Sequence, residues 1–238
     1  MLNTVKIQDK GNVKIVAHRG LSGIELENTN PAFVAAANRS FFGIETDVHK
    51  TADGRLVLMH DGHTGRVAKD GIDLVIAEET FDTLRALPLK GERIDYRIPT
   101  LDEYLSICKK YGKTAVLEIK GTPGRETVKE ICDAVEAAEM LENTVFISFS
   151  FESCTHVREL YKDHPNQFLC SEVDDELMEK LTEYNFGLDI YFEGLTEEKV
   201  KACKEKGIEV NCWTVNDLAV ANELISWGVS YITTNILE

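Results

Sequence analysis

The residues best equipped for chemistry lie between Gly43 and Asp61, Gly-Ile-Glu-Thr-Asp-Val-His-Lys-Thr-Ala-Asp-Gly-Arg-Leu-Val-Leu-Met-His-Asp. Two short apolar runs, Gly43 to Val48 and Leu56 to Met59, flank Asp53-Gly54. That dipeptide suits the left-handed dihedrals of a tight hairpin turn. Side chains alternate along a strand, so Glu45 and Asp47 share one face, and Ile44, Thr46 and Val48 take the other. With Asp53 and Gly54 as a two-residue turn, the register sets His60 opposite Asp47, and opposed residues share a face. Two carboxylates and an imidazole then converge. Acids that close repel each other unless a positive charge lies between them, and a divalent cation bound by oxygen ligands would supply it. The plain alternative is a hairpin whose polar face meets water, which leaves the returning His60-Asp61 unaccounted for.

Other polar residues stand where further strands end. Val13 to Ala17 reads as a buried strand ending at His18-Arg19-Gly20. Asn30 is the expected N-cap of the next helix, with Pro31 at its first position and Ala32 to Arg39 as its body. Residues 62–98, punctuated by Gly62, Gly65 and Gly71, carry no long periodic pattern; they read as an excursion that covers a site, with one short helix near Phe81 to Leu87. Thr100-Leu-Asp-Glu103 is a capping box that opens a helix to about Lys110. From there strands and helices alternate to the end. Strands begin near 13, 43, 115, 145, 167, 187, 208 and 231.

Eight repeated strand–helix units imply parallel strands with right-handed crossovers, and so an α/β fold of the (β/α)8 TIM-barrel type spanning 1–238 as one domain. The excursion falls between the second strand and its helix, on the rim where barrel active sites form. The rival is an open doubly wound sheet, but no Gly-x-Gly-x-x-Gly follows the first strand and no Walker-type loop is present. In a barrel, the strand ends would gather His18, Arg19, Glu45, Asp47, His60, Glu118, Lys120, Ser148, Ser150 and Trp213 at one mouth. Singly each has a tame explanation: a satisfied core histidine, a surface Glu118–Lys120 ion pair, a packed Trp213. Their shared placement is harder to explain so.

Bulk properties bound the partners. The 238 residues are 43% hydrophobic and 28% charged, with a formal net charge of -15. So acidic a chain argues against broad nucleic-acid binding and adsorption to anionic lipid. No run nears the roughly 18 apolar residues needed to span a bilayer, so no stable membrane insertion is expected. The N-terminal ten residues have no signal-peptide core, and six cysteines lie singly with no CxxC pair; the expectation is buried, reduced thiols, no zinc site and a cytoplasmic location.

Taken in order, His18-Arg19-Gly20, Glu27-Asn28-Thr29, Ile44-Glu45-Thr46-Asp47-Val48 with Asp53-Gly54 and His60-Asp61, Pro99-Thr100-Leu101-Asp102-Glu103, Leu117-Glu118-Ile119-Lys120 and Trp213-Thr214-Val215-Asn216 resemble the glycerophosphodiester phosphodiesterases. The resemblance runs from about residue 14 to the end. It implies a (β/α)8 barrel that hydrolyses a small-molecule glycerophosphodiester to an alcohol and sn-glycerol 3-phosphate. By the same resemblance Glu45, Asp47 and Glu118 would hold one divalent cation, His18 and His60 would be the acid–base pair, Arg19 and Lys120 would bind phosphate, and Trp213 would pack on the glycerol. The residue types agree. Three carboxylates suit Mg²⁺ or Ca²⁺ better than Zn²⁺, the cations offset charge growing on phosphate oxygens, and two imidazoles can divide proton transfer near neutral pH.

The chain departs from the family where Leu-Asp-Arg-Thr commonly follows His-Asp and here Gly62-His63-Thr64-Gly65-Arg66 stands, a place that would meet the head group. It departs again at the last strand, where Thr234-Asn235-Ile236-Leu237 replaces Thr-Asp-x-Pro, a change expected to leave the catalytic set untouched. His49, His63, His156 and His164 receive no role, the last two as helix-surface residues. Two other functions compete: a related phosphodiesterase acting on lysophospholipids or phosphoinositides, and a non-catalytic barrel that binds glycerophosphate. Head group, metal identity, the division of labour between the histidines, water against substrate hydroxyl as nucleophile, and a homodimer against a monomer stay open at this stage.

Overall fold

Eight parallel strands close on themselves in the computed structural model, which describes residues 3–91, 93 and 95–238. In chain order the elements are β1 (Lys14–Ala17), α1 (Asn30–Ala37), β2 (Gly43–Lys50), β3 (Leu56–Leu58), α2 (Phe81–Ala86), α3 (Leu101–Tyr111), β4 (Thr114–Ile119), α4 (Arg125–Ala137), β5 (Thr144–Ser148), α5 (Phe151–Leu160), β6 (Asn166–Cys170), α6 (Asp175–Glu183), β7 (Gly187–Tyr191), α7 (Glu197–Glu205), β8 (Val210–Trp213), α8 (Leu218–Trp227) and β9 (Tyr231–Thr234). The parallel order runs β1, β2, β4, β5, β6, β7, β8, β9, and β1 pairs with both β2 and β9. That closure makes the sheet the eight-stranded barrel expected. The ninth strand, β3, is antiparallel and hangs from β2.

Alternation along each strand sorts residues into two cores. Outward side chains such as Ile15, Ile44, Leu117, Phe146, Leu188, Ile190 and Val210 are buried against the helices. Inward side chains Val16, Val116, Val145, Ile147, Leu169 and Tyr231 form a separate apolar layer inside the barrel. The helices start where their sequences say. Thr100 and Glu103 make the reciprocal capping box of α3, and Ser150, Asp174, Thr196 and Asp217 cap α5 to α8. Helix α1 begins one residue early: Thr29, not Asn30, is its N-cap, because the Thr29 hydroxyl accepts from the Ala32 amide. Among the described residues no helix is long and apolar enough to cross a membrane.

The hairpin corrects the expected register. Val48 pairs with Leu58, His49 with Val57 and Lys50 with Leu56. The Thr51 amide donates to the Arg55 carbonyl, so three residues, Ala52, Asp53 and Gly54, make the turn, with Gly54 at φ 81° in the left-handed region. Continued upward, this register sets Met59 against Asp47, and the Met59 amide donates to the Asp47 carbonyl. The described residues of the 62–98 segment pack beyond it around their own cluster of Val67, Ile76, Leu84, Leu89, Tyr96 and Ile98, seated on Val57 and Met59. Arg85 anchors that segment to α3 through a bidentate pair with Glu103 at 2.7 and 2.8 Å.

Candidate active site

The inward residues at the carboxyl end of β2 and β4 form a buried acidic group. One ligand atom from each of Glu45, Asp47 and Glu118 lies within 4.8 Å of the others. All three are buried, with Asp47 fully enclosed. Register explains the meeting, since Asp47 stands directly beside Glu118 in the β2–β4 pair. Lys120, two residues beyond Glu118 on the same face, reaches Glu118 Oε1 at 2.9 Å and lies 3.2 Å from Asp47 Oδ1. Both contacts are ion pairs, and Asp47 Oδ1 has no hydrogen-bond partner among the described residues. The other oxygen, Oδ2, accepts from Asn28 Nδ2 at 2.7 Å and lies 3.7 Å from Arg19 Nε.

All three acids ionised at once would repel one another. Burial and then the Asp47 charge push Glu45 well above the usual carboxylate range. The same two causes lift Glu118 to about 8, against the pull of Lys120. Burial acts to raise Asp47 too, but Lys120, Arg19 and His60 outweigh it and hold it below its ordinary value. Three acids, one anionic and two resisting ionisation, with one bare buried oxygen, fit a hard divalent cation. Among the described residues that oxygen accepts no hydrogen bond, and Lys120 touches it as an ion pair.

Both histidines reach the same cavity. It is walled by His18, Arg19, Glu45, His60 and Glu118 on one side and by Ile147, Phe149, Leu169, Asp189, Trp213 and Thr233 on the other. His18 follows β1 directly and its Nδ1 lies 2.7 Å from Asn235 Oδ1. Burial, then Arg19, lowers it to about 4. His60 arrives by a route the hairpin pattern hid. The ladder stops at Leu58 and the chain bends from His60 to Gly62, so the imidazole turns to the cavity although strict alternation from Met59 would point it away. Its Nδ1 lies 2.7 Å from Asp61 Oδ1. Burial lowers His60 as well, while Asp47 pulls it back.

Arg19 occupies the left-handed region at φ 54°, and its backbone amide donates to Glu45 Oε2 at 2.7 Å. Gly20 behind it, at φ 75°, is pressed so close to α1 that a Cβ would sit 2.7 Å from the Ala32 carbonyl carbon. Only glycine fits there, which accounts for the His-Arg-Gly turn.

Several partners escaped the pattern reading. Glu27 accepts from Arg19 Nη1 at 2.9 Å and is clasped by Arg66, Nη1 to Oε2 at 2.7 Å and Nη2 to Oε1 at 2.8 Å. Arg66 also donates from Nε to Asp61 Oδ2 at 2.6 Å, so one arginine of the 62–98 segment braces the partners of both Arg19 and His60. Asn28 and Asp61 lay inside quoted motifs but had no roles. Asn235 corrects an expectation outright: the departure at the last strand does touch the expected catalytic residues, since it supplies the contact to His18 Nδ1. His49 also belongs near the site, with Nε2 3.4 Å from the His60 carbonyl oxygen. Ser148 and Ser150 do not join it; Ser148 Oγ donates to the Ile119 carbonyl and Ser150 caps α5. His164 lies past the end of α5, and His156, on that helix, is mostly covered.

A closed barrel with an acid cluster, two cations and two histidines at one mouth defines a class, the barrel hydrolases of phosphoric diesters. Within it the chain belongs to the glycerophosphoryl diester phosphodiesterase family, which matches residues 18–238. It is 27% identical to a glycerophosphodiester phosphodiesterase of Bacillus subtilis, over 99% of this chain and 89% of the relative. Among solved structures it is similar to an Oleispira antarctica phosphodiesterase in complex with the product sn-glycerol-3-phosphate, at 25% identity and a TM-score of 0.86, covering 93% of this chain and 92% of that one. A glycerophosphodiester phosphodiesterase from Parabacteroides distasonis is similar at 30% identity and a TM-score of 0.82, with 95% and 94% covered.

Proposed function

We propose that the protein hydrolyses glycerophosphodiesters to an alcohol and sn-glycerol 3-phosphate with one divalent cation, Mg²⁺ or Ca²⁺, held by Glu45, Asp47 and Glu118. The observation that carries this is the buried group of Glu45, Asp47 and Glu118, whose Asp47 Oδ1 accepts no hydrogen bond among the described residues, beside two histidines that share a cavity with Glu45 and Glu118. When bound, the cation polarises the phosphoryl group and offsets charge on its oxygens. Arg19 and Lys120 add fixed positive charge, the first as a planar fork and the second as a point charge.

The partners of the histidines suggest their division of labour. Asn235 Oδ1 accepts from His18, which assigns the ring hydrogen to Nδ1 and leaves a lone pair on Nε2. A neutral acceptor gives little help to an imidazolium, so His18 suits the base, taking a proton from the attacking water, or from the substrate's own glycerol hydroxyl on the way to a cyclic phosphate that water then opens. His60 faces the Asp61 carboxylate, which stabilises an imidazolium, so His60 suits the acid that protonates the leaving alkoxide. Trp213 packs against the glycerol, and residues 62–98 cover the charged wall. Six free cysteines suit a reducing compartment, and the cytoplasm is the location we assign.

The test is release of glycerol 3-phosphate from glycerophosphocholine and glycerophosphoethanolamine. EDTA should abolish turnover and added Mg²⁺ or Ca²⁺ restore it; turnover that survives chelation overturns the metal role. A second reading has one observation behind it: Phe149 is 49% exposed at the cavity edge, an apolar foothold for an acylated substrate. Faster turnover of lysophosphatidylcholine than of glycerophosphocholine would favour it.

A further inference from the structure

One wall residue has no part in the chemistry above. Asp189 sits at the middle of β7 with Leu188 and Ile190 on either side turned outward into the helical core. Its own side chain faces the cavity, is 1% exposed, and leaves Oδ1 with no hydrogen-bond partner among the described residues. On the adjacent strand β8, Trp213 lines the same cavity, and its Nε1 is likewise buried and unpartnered. A buried carboxyl without a partner weakens the free protein, and an apolar residue would serve the barrel better.

The position tells what it would read. In the barrel order β7 lies four strands from β2 in either direction, so Asp189 and Glu45 line the cavity from opposite sides of the barrel. The cations Arg19 and Lys120 stand by the β2–β4 wall. A phosphate is drawn to that wall and repelled by an acid on the far one. The group left facing Asp189 and Trp213 is therefore the uncharged end of the ligand, and a hydroxyl fits both orphans, since it can donate to the carboxyl and accept from the indole N–H.

We propose that Asp189 is a specificity-determining residue that binds a free hydroxyl of the glycerol moiety, with Trp213 Nε1 as its neighbouring donor. The proposal rests on the reading of this cavity as a glycerophosphate site, and deepens it. A site built to hydrogen-bond a hydroxyl discriminates strongly against a ligand lacking it, because the buried polar groups stay unpaired.

Calorimetry of the intact protein with sn-glycerol 3-phosphate and with propyl phosphate, which has the same phosphate and no hydroxyls, tests it. Wild type should favour glycerol 3-phosphate by roughly 10- to 100-fold. In Asp189→Leu the preference should collapse to within about threefold, with a melting temperature equal to or above wild type. Should Asp189→Leu be too bulky to fold, Asp189→Ala is read in the same way. A preference that persists in the folded variant overturns the proposal. So does lower stability together with equal weakening of both phosphates, which would make Asp189 a structural residue. If wild type shows the preference yet cleaves no diester, the hydrolase reading fails and the role of Asp189 stands. If it binds neither phosphate, both fail.

Discussion

The two walls of the cavity are built on opposite plans. On the β1, β2 and β4 side each charged side chain has a named partner, Arg19 with Glu27, Asp47 with Asn28, Lys120 with Glu118 and His60 with Asp61, although Asp47 Oδ1 and Arg19 Nε accept or donate no hydrogen bond among the described residues. On the β5 to β8 side the lining is Ile147, Phe149, Leu169 and Trp213, held by edge-on aromatic contacts such as Phe149–Trp213 at 5.7 Å, and its one acid stands alone. The difference separates labour. Transition-state charge requires groups fixed in advance, and fixing them requires supporting hydrogen bonds. Recognition of a neutral moiety needs shape and a few unsatisfied polar atoms that the ligand completes. Substitutions on the first wall should therefore act on kcat, and those on the second mainly on KM.

The sharpest trial of that division is truncation of the histidines. His18→Ala and His60→Ala should each lower kcat by about 10²- to 10⁴-fold with KM within a few-fold of wild type. A loss confined to KM would place the chemistry elsewhere. Next is Arg66, which touches no proposed reacting atom. Arg66→Ala frees Glu27 and Asp61, the supports of Arg19 and His60, and should cost roughly 10- to 100-fold in kcat. Unchanged kinetics would show that the charged wall needs no brace from the 62–98 segment.

A subtler change tunes one side without dismantling it. Asn235→Asp places a carboxylate beside His18 and stabilises its charged form, raising its pKa from about 4. The base must be neutral, and activity is lost as pH falls through its pKa. The acid limb of kcat/KM should therefore move to higher pH in the variant, by on the order of one unit; a profile that stays in place removes His18 from the role of base. The smallest effect is expected at Phe149. Removing this half-exposed ring should raise KM by about threefold to tenfold and leave kcat nearly as it was, measured on glycerophosphocholine.

The legible parts of this molecule were those with a short period. Strand–helix alternation could be read because caps mark the boundaries, as at Thr100 with Glu103. The acid cluster could be read because Glu45 and Asp47 are two apart, as are Glu118 and Lys120. Partners contributed by loops had no such period. Asn28, Asp61, Arg66 and Asn235 meet their targets through chain geometry that spacing does not encode. The hairpin register failed on a single residue, since Asp53-Gly54 serves a two-residue or a three-residue turn equally well. Asp189 was within reach: an acid between two outward apolar residues carries the same inward signal that exposed Glu118.

His60 rides on backbone beyond the last rung of β3. Its aim is thus governed from above, by Asp61 and through it Arg66, and hardly at all by the sheet below. A loop exchanged or lengthened in 62–98 could redirect proton delivery toward a differently shaped leaving alcohol while every ladder of the barrel stays intact. Since Glu45, Asp47 and Glu118 are fixed on strands, that makes the proposed acid the adjustable component.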